Sequence, residues 1–433
     1  MSITVGLIGL AALIVMLFLG MNVGFSMVIV GFLGVAILKN FGAALGFLMG
    51  VPFTTVANYS LSVIPLFVLM GQFAFHSGIS EDLFKLCYKW FGRIPGGLGV
   101  AAIGATTGFC AVCGSSTATT ATMGVVCLPE MRRYKYANSL STGSIAAGGT
   151  LGILIPPSVG FILYGITASE SIGRLFAAGI IPGLMLAVLY VIVIIIQASM
   201  KPELGPKGDV FPMSEKIKAL LGVLPIIVLF IIVVGGIFAG YFTPNEGAAV
   251  GSFGAFLFLI FRRKCTIKVL YDALTGTIKT SCMILLLMIG TNMFGYFLQF
   301  SMFPTFLANL AMGMNVSRYL ILVIILLVYV VLACVMDSLS MILLLGPIFL
   351  PVITGFGMDL VWFGVLMVMV TETGLITPPV GLNVIIMHNI AKDVPLGTIY
   401  RGVFPFLLAL FVGIALVLVF PQIALWFPNL IYG

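Results

Sequence analysis

The chain has 433 residues, of which 61% are hydrophobic and 8% are charged, with a mean hydropathy of +1.26. Soluble domains carry about 25% charged residues, so this composition excludes a soluble enzyme and predicts an all-α polytopic membrane protein. The net charge of +7 does not indicate nucleic-acid binding, because the basic residues lie in short loops between apolar segments.

Ten segments are apolar enough, and of about the 20 residues needed, to cross a bilayer once. They are 3–20, 22–38, 59–77, 137–166, 176–200, 219–241, 246–261, 281–300, 360–387 and 402–420. The first segment has neither a basic leader nor a clear cleavage site, so we expect a retained span rather than a signal peptide.

Two further segments, 96–131 and 318–355, each carry a polar sequence in the middle of an apolar stretch. In the first it is Gly114-Ser115-Ser116-Thr117, and in the second it is Asp337-Ser338, followed by Ser340. We interpret both as re-entrant helical hairpins, because non-helical backbone at membrane depth is tolerated only where it lines a cavity or is buried in protein.

Three other segments are predicted to lie along the membrane surface. Residues 81–94 and 264–279 interleave charged and apolar positions, which is typical of an amphipathic arm. By the repeat, residues 41–57 are expected to form a more apolar arm of the same kind on the outer side of the membrane.

The residues that interrupt helices occur twice in the chain. Gly152 and the pair Pro156-Pro157 recur as Gly374 and Pro378-Pro379, at an offset of 222 residues (374 − 152). The same offset relates Gly124 to Gly346, Ser116 to Ser338, and Leu128-Pro129 to Leu350-Pro351. Helix interruptions at matching positions in two halves of an apolar chain predict a transporter with its binding site at the interruptions.

The distribution of Lys and Arg predicts the orientation of the chain. With both flanks of the first hairpin in the cytoplasm, 17 of the 20 basic residues lie inside, and Lys39, Arg174 and Arg318 lie outside. Equivalent points of the two repeats are then five crossings apart, so the second repeat is inverted relative to the first. Both termini are expected to face the periplasm.

Each Pro-Pro pair predicts two free carbonyl groups at membrane depth, because proline has no N–H to bond the carbonyl four residues earlier. Lipid offers these carbonyls no partner, and sodium, which takes oxygen ligands, is the expected one. A simple proline kink is the alternative. The predicted sodium ligands are Gly114, Ser116, Gly152, Ile153, Asp337, Ser338, Ser340, Gly374, Leu375, Thr377 and Pro378.

The tip of the first hairpin is also the predicted site for an anionic substrate. A half-helix that starts there would direct its N-terminal N–H groups at a carboxylate. Small residues that pack helices closely are the alternative interpretation of these positions. The predicted substrate-binding residues are Ser115, Ser116, Thr117, Pro156, Pro157 and Asn383.

The acids and histidines within the spans receive separate interpretations. Asp337 either balances the charge of a bound cation or caps the returning half-helix. Glu372 either contributes to the second broken helix or is satisfied by hydroxyls of its neighbours Thr371 and Thr373. Thr243 and Glu246 form a capping box, which is a structural role. His76 and His388 lie near span ends and are expected at the surface.

Four motifs together resemble the large, DctM-type membrane subunit of tripartite ATP-independent periplasmic (TRAP) transporters. They are Gly114-Ser115-Ser116 at a hairpin tip, 152–158 (GILIPPS), 243–250 (TPNEGAAV) and 373–383 (TGLITPPVGLN). The resemblance covers nearly the whole chain and is most specific in the two Pro-Pro segments.

The resemblance implies sodium-driven uptake of a carboxylate, such as sialic acid or a C4-dicarboxylate, across the bacterial inner membrane. It implies two partners, a small four-helix membrane subunit on a separate chain and a periplasmic substrate-binding protein, and no cofactor besides the coupling ions. It also implies an elevator-type fold. The moving core would be 96–187 and 318–410, the scaffold 1–95 and 188–317, and 411–433 a C-terminal segment.

Other functions compete with this one. A self-sufficient sodium–carboxylate symporter would need no binding protein, and a channel lined by the two hairpins would conduct ions without a coupled substrate. An intramembrane enzyme is disfavoured, because the sequence has no paired catalytic acids and no Ser/His pair.

Overall fold

The computed structural model describes residues 2–314 and 316–433, and every regular element in these ranges is a helix. The first repeat contains α1 (Ser2–Phe18), α2 (Val23–Leu38), α3 (Phe41–Val56), α4 (Tyr59–Ser77), α5 (Ile79–Phe91), α6 (Gly97–Cys113), α7 (Ser116–Arg133), α8 (Asn138–Gly149), α9 (Val159–Ala168) and α10 (Ile172–Met200). The second contains α11 (Met213–Phe238), α12 (Pro244–Phe261), α13 (Ile267–Ser301), α14 (Phe303–Gly313), α15 (Arg318–Ala333), α16 (Ser338–Gly355), α17 (Leu360–Gly374), α18 (Leu382–Ile390), α19 (Leu396–Val419) and α20 (Gln422–Tyr432).

The order of helices from α5 to α10 is repeated from α14 to α19, in register with the sequence repeat. Helices α7 and α16 begin at Ser116 and Ser338, which are 222 residues apart (338 − 116). Helices α8 and α17 begin at Asn138 and Leu360, at the same offset (360 − 138). The offset of the Pro-Pro motifs thus extends to the boundaries of the helices around them.

Seven of the described helices have the length and hydropathy to cross a membrane. Among the predicted crossings, 59–77, 176–200, 246–261 and 281–300 each fall within one of these helices, and 219–241 and 402–420 each extend one to three residues beyond theirs. The predicted spans 3–20 and 22–38 form helices of 17 and 16 residues, at the short end of what a bilayer requires.

The predicted hairpins form two pairs of packed helices. In the first, α6 and α7 are joined by Gly114, whose φ of +63° suits glycine, and Ser115, which caps α7. In the second, α15 and α16 are joined by residues 334–337, and Asp337 caps α16 by accepting a hydrogen bond from the Ser340 N–H at 3.1 Å. Both tips therefore start a helix with an oxygen-bearing cap.

The two Pro-Pro segments interrupt helices, as predicted. Helix α8 ends at Gly149 and α9 begins at Val159, and α17 ends at Gly374 and α18 begins at Leu382. The backbone between each pair of helices is irregular, because the prolines remove the N–H groups that would continue the helix.

One predicted arm is wrong. Residues 264–279 do not form a separate surface helix, since α13 continues without a break from Ile267 to Ser301. The equivalent segment of the first repeat is separate: α3 ends at Val56, and Asn58 starts α4 by accepting a hydrogen bond from the Ser60 N–H at 2.9 Å. Thr280 occupies the position of Asn58 in the second repeat, within the continuous helix.

The base of the first hairpin is bonded to segments outside it. Arg132 at the end of α7 donates to both carboxylate oxygens of Asp393, at 2.8 and 2.9 Å, and this hydrogen bonding lowers the pKa of Asp393. The Tyr134 hydroxyl donates to Asp209 at 2.5 Å, which raises the pKa of Tyr134. The first hairpin is thus joined to the second repeat and to the loop after α10.

Candidate functional site

Both hairpin tips face one cavity of about 1060 Å³. Its wall includes residues from the tips, both broken helices, and the ends of α4 and α5. The predicted site residues that line it are Gly114, Ser115, Ser116, Thr117, Ile153, Asp337, Ser338 and Leu375. Residues 222 positions apart in the sequence thus share one cavity, so the repeat builds a single site.

The two tips meet at the carboxylate of Glu372, near the end of α17. The Ser116 hydroxyl donates to Glu372 Oε2 at 2.7 Å, and the Ser338 hydroxyl donates to Glu372 Oε1 at 2.9 Å. Glu372 is 1% exposed and lines the cavity. It is satisfied by hydroxyls, but these come from the two hairpins and not from its neighbours Thr371 and Thr373.

The first tip packs closely against the first broken helix. A Cβ on Gly152 would lie 2.6 Å from the Ser116 Cα and 2.7 Å from the Ser115 carbonyl carbon. A Cβ on Gly114 would lie 2.7 Å from the Pro157 carbonyl oxygen. Since real Cβ atoms do not approach other atoms this closely, glycine at both positions lets the tip contact the backbone around Pro156-Pro157.

The second tip packs against the second broken helix in the same way. A Cβ on Gly374 would clash with the carbonyl oxygen of Ala333, the last residue of α15. Asp337 lies at the start of α16, where the Ser340 hydroxyl donates to its Oδ1 at 2.5 Å. The glycines shared by the two Pro-Pro motifs therefore serve the same purpose, close approach of a hairpin.

The carbonyls freed by the prolines fall into two groups. The Ile153 carbonyl accepts the Ser158 hydroxyl, and the Leu375 carbonyl accepts the Asn383 N–H at 2.9 Å. Within the described residues, the carbonyls of Gly152 and Gly374 accept no hydrogen bond. Those two oxygens keep both lone pairs, which fits the oxygen ligands that a hard cation takes.

Several predicted residues do not line the cavity. Pro156 and Pro157 are buried, whereas Pro378 is exposed. Asn383 is fully buried, and its Nδ2 donates to the Ala146 carbonyl at 3.1 Å, which links the second broken helix to α8. The Thr377 hydroxyl donates to the Thr373 carbonyl at 2.6 Å, and Ser340 is engaged with Asp337. The first Pro-Pro pair is thus buried beside its tip at Gly114, and neither pair lines the cavity.

Sequence reasoning missed the side chains at the mouth of the cavity. His76, expected at the surface, is half-buried and lines the cavity together with Gln72 and Glu81 from the same region. Lys264, from the loop before α13, also lines the cavity, with its Nζ beside Gly78. These positions are outside the repeated motifs, so the internal symmetry gave no signal for them.

The two halves of the site differ in charge. Thr150 occupies the position in the first repeat that Glu372 occupies in the second (372 − 150 = 222). Its hydroxyl shares a hydrogen bond with the Tyr190 hydroxyl, over 2.9 Å. The acid is therefore present in one repeat alone, although hydroxyls from both repeats bind it.

Among solved structures, the fold is similar to those of membrane transporters. The YdaH transporter of Alcanivorax borkumensis aligns with a TM-score of 0.66 at 15% identity, over 89% of this chain and 90% of that one. MtrF of Neisseria gonorrhoeae aligns with a TM-score of 0.65 at 12% identity, over 88% and 85%. At this identity the likeness concerns the fold alone, and it defines the class as a multi-pass membrane transporter fold.

The sequence comparison identifies the family. The family model for the DctM component of tripartite ATP-independent periplasmic transporters matches residues 10–423, and the chain belongs to this family. The sialic acid TRAP transporter large permease of Vibrio cholerae is 33% identical over 420 residues, which cover 96% of this chain and 97% of that protein. The C4-dicarboxylate TRAP transporter large permease of Pseudomonas aeruginosa is 34% identical over 380 residues, which cover 87% and 88%. These relatives are permeases, not enzymes, so the resemblance in the sequence motifs is confirmed.

Proposed function

We propose that this TRAP large permease carries a carboxylate into the cell together with sodium ions, at the cavity between its two hairpin tips. The observation that carries the proposal is the convergence of both polar tips and both broken helices on one cavity. Discontinuous helices in two repeats are the usual place where secondary transporters bind substrate and coupling ions.

The chemistry of the cavity supports both ligands. The start of α7 at Ser116 presents N–H groups and the Ser115 and Thr117 hydroxyls, which suit a carboxylate. The Asp337 carboxylate lines the cavity, and the carbonyl oxygens of Gly152 and Gly374, which accept no hydrogen bond, lie in the buried backbone beside the tips. Oxygens of both kinds suit sodium. Cation and anion would then bind close together, so each lowers the electrostatic cost of the other.

We also propose an inverted repeat and an elevator movement for this transporter. If 17 of the 20 basic residues lie in the cytoplasm, the two copies have opposite orientations, and both termini are periplasmic. With this orientation, the end of the cavity at Glu81 and Lys264 would face the cytoplasm, which supports an inward-facing state. Movement of 96–187 and 318–410 against the scaffold would open the site to the other side.

The proposed partners come from the family. A small four-helix membrane subunit and a periplasmic binding protein would complete the transporter in the bacterial inner membrane. The relatives' names include sialic acid, C4-dicarboxylate and, in Escherichia coli at 32% identity, 2,3-diketo-L-gulonate. We propose sialic acid or a C4-dicarboxylate as the substrate.

Uptake by the reconstituted protein tests the proposal. Proteoliposomes containing this chain and its small subunit should accumulate radiolabelled sialic acid or succinate only with the binding protein present outside and an inward sodium gradient. Replacing sodium with potassium should reduce accumulation to the level of empty liposomes. Uptake by this chain alone would instead indicate a self-sufficient symporter, and uptake that ignores sodium would contradict the proposal.

A further inference from the structure

Glu372 joins the two hairpin tips through a single carboxylate. Its Oε2 accepts from Ser116 at 2.7 Å and its Oε1 accepts from Ser338 at 2.9 Å. The two serines occupy equivalent positions in the repeats, one at the start of α7 and the other at the start of α16. One acid is thus coordinated symmetrically by two otherwise separate hairpins.

The charge of this carboxylate has no basic partner. Among the described residues, every ion pair involves another acid, and Glu372 has no contact with Lys, Arg or His. The titratable groups near it are Cys110 on α6 and Tyr190 on α10, and neither carries a positive charge. A buried carboxylate at membrane depth is costly unless a cation accompanies it.

The surrounding oxygens can accommodate a cation without losing their hydrogen bonds. A serine hydroxyl that donates its proton to Glu372 keeps two lone pairs, and each carboxylate oxygen that accepts one bond keeps further acceptor capacity. Ser116, Ser338 and Glu372 all line the cavity, so an ion can reach them from there. Carboxylate and hydroxyl oxygens are ligands that hard cations prefer.

We propose that Glu372, Ser116 and Ser338 form one sodium site that joins the two hairpin tips. This proposal rests on the proposed function and changes the set of residues that bind sodium. The sequence predicted both serines as sodium ligands without Glu372. In the structure both serines bind the same carboxylate, so a single ion here holds both tips together, and both hairpins respond to its binding.

The experiment compares Glu372→Gln with the matched variant Thr150→Val, in the purified complex with the small subunit. Glutamine keeps the shape and one accepting oxygen, places an NH2 donor at the other position, and removes the charge. Thr150 is the repeat-related position, and its hydroxyl contacts Tyr190 rather than a hairpin tip. The Tm of each protein is followed during titration with sodium chloride, at constant ionic strength balanced with choline chloride, because an ion that binds the folded state raises Tm.

The wild type and Thr150→Val should show the same sodium midpoint. Loss of the charge at Glu372 should raise that midpoint by at least about tenfold, as expected for loss of a charge-assisted ligand in a buried site. Ser338→Ala, which removes one ligand and leaves the acid, should raise it less. Equilibrium binding of ²²Na⁺ should show one ion fewer per protein in Glu372→Gln than in Thr150→Val.

If the hydrogen bonds from Ser116 and Ser338 to Glu372 serve only to stabilise the fold, the result is different. In that case Glu372→Gln lowers Tm in choline, but the sodium midpoint and the number of bound ions stay at wild-type values, which overturns this site alone. If Glu372→Gln does not yield folded protein, an unchanged midpoint in Ser338→Ala overturns it equally. Sodium-independent uptake by the wild type would instead overturn the proposed function, which the uptake assay detects separately.

Discussion

Gly152→Ala is expected to reduce sodium-dependent uptake to background. The new Cβ would lie 2.6 Å from the Ser116 Cα and 2.7 Å from its N, so the backbone of the first tip must move. Overpacking of this kind costs about 1–3 kcal/mol, and here the displaced segment lines the proposed binding site. The measurement is the initial rate of uptake in proteoliposomes at matched protein content.

Gly46→Ala is the control for this prediction. Gly46 lies in α3, and a Cβ there meets no atom within 4 Å, so uptake and Tm should remain at wild-type levels. The pair of variants separates a local steric effect from a general effect of adding a methyl group to a helix. Wild-type uptake by Gly152→Ala would mean that the contact between tip and broken helix is not required for transport.

Asp337→Asn is expected to raise the sodium concentration for half-maximal uptake by about tenfold or more, with little change in Tm, because the charge of a proposed, half-buried cation ligand is lost. Asparagine caps helices as well as aspartate does, so the start of α16 is preserved while the charge is removed. Asp337→Ala removes both the cap and the charge, and should also lower stability by about 1 kcal/mol. Sodium-dependent uptake and thermal unfolding are measured for both variants.

The two variants distinguish the roles left open by the sequence. If Asp337 only caps α16 through the Ser340 N–H, then Asp337→Asn will keep its sodium dependence and Asp337→Ala alone will be impaired. That pattern would remove Asp337 from the ion site. A shift in sodium dependence common to both variants assigns it a role in cation binding.

Much of the fold was predictable because its signals are local. The lengths of the apolar segments predicted the spans. Each Pro-Pro pair predicted an interruption, because a missing N–H removes a hydrogen bond within the same helix. The offset of 222 residues connected the two halves before any contact was known. The merged arm in α13 was missed because the charged positions in 264–279 are compatible with both a surface helix and the exposed end of a long one.

The site was predictable at its tips and not at its centre. Ser116 and Ser338 were identified from the repeat, whereas Glu372 has no acidic counterpart in the first repeat. Its contact with Ser116 joins residues 256 positions apart, and only tertiary packing brings these together. Ile153 and Leu375 were predicted as sodium ligands because the prolines free their carbonyls. In the structure both carbonyls accept a hydrogen bond from within the protein.

The most direct test of the central claim is whether substrate moves sodium. Proteoliposomes containing the complex are equilibrated with ²²Na⁺ at equal concentration on both sides, and the binding protein loaded with the transported carboxylate is added outside. We expect ²²Na⁺ to accumulate inside as the carboxylate enters, and Gly152→Ala to show neither movement. Entry of the carboxylate without net movement of ²²Na⁺ would contradict a shared site for ion and anion at the hairpin tips.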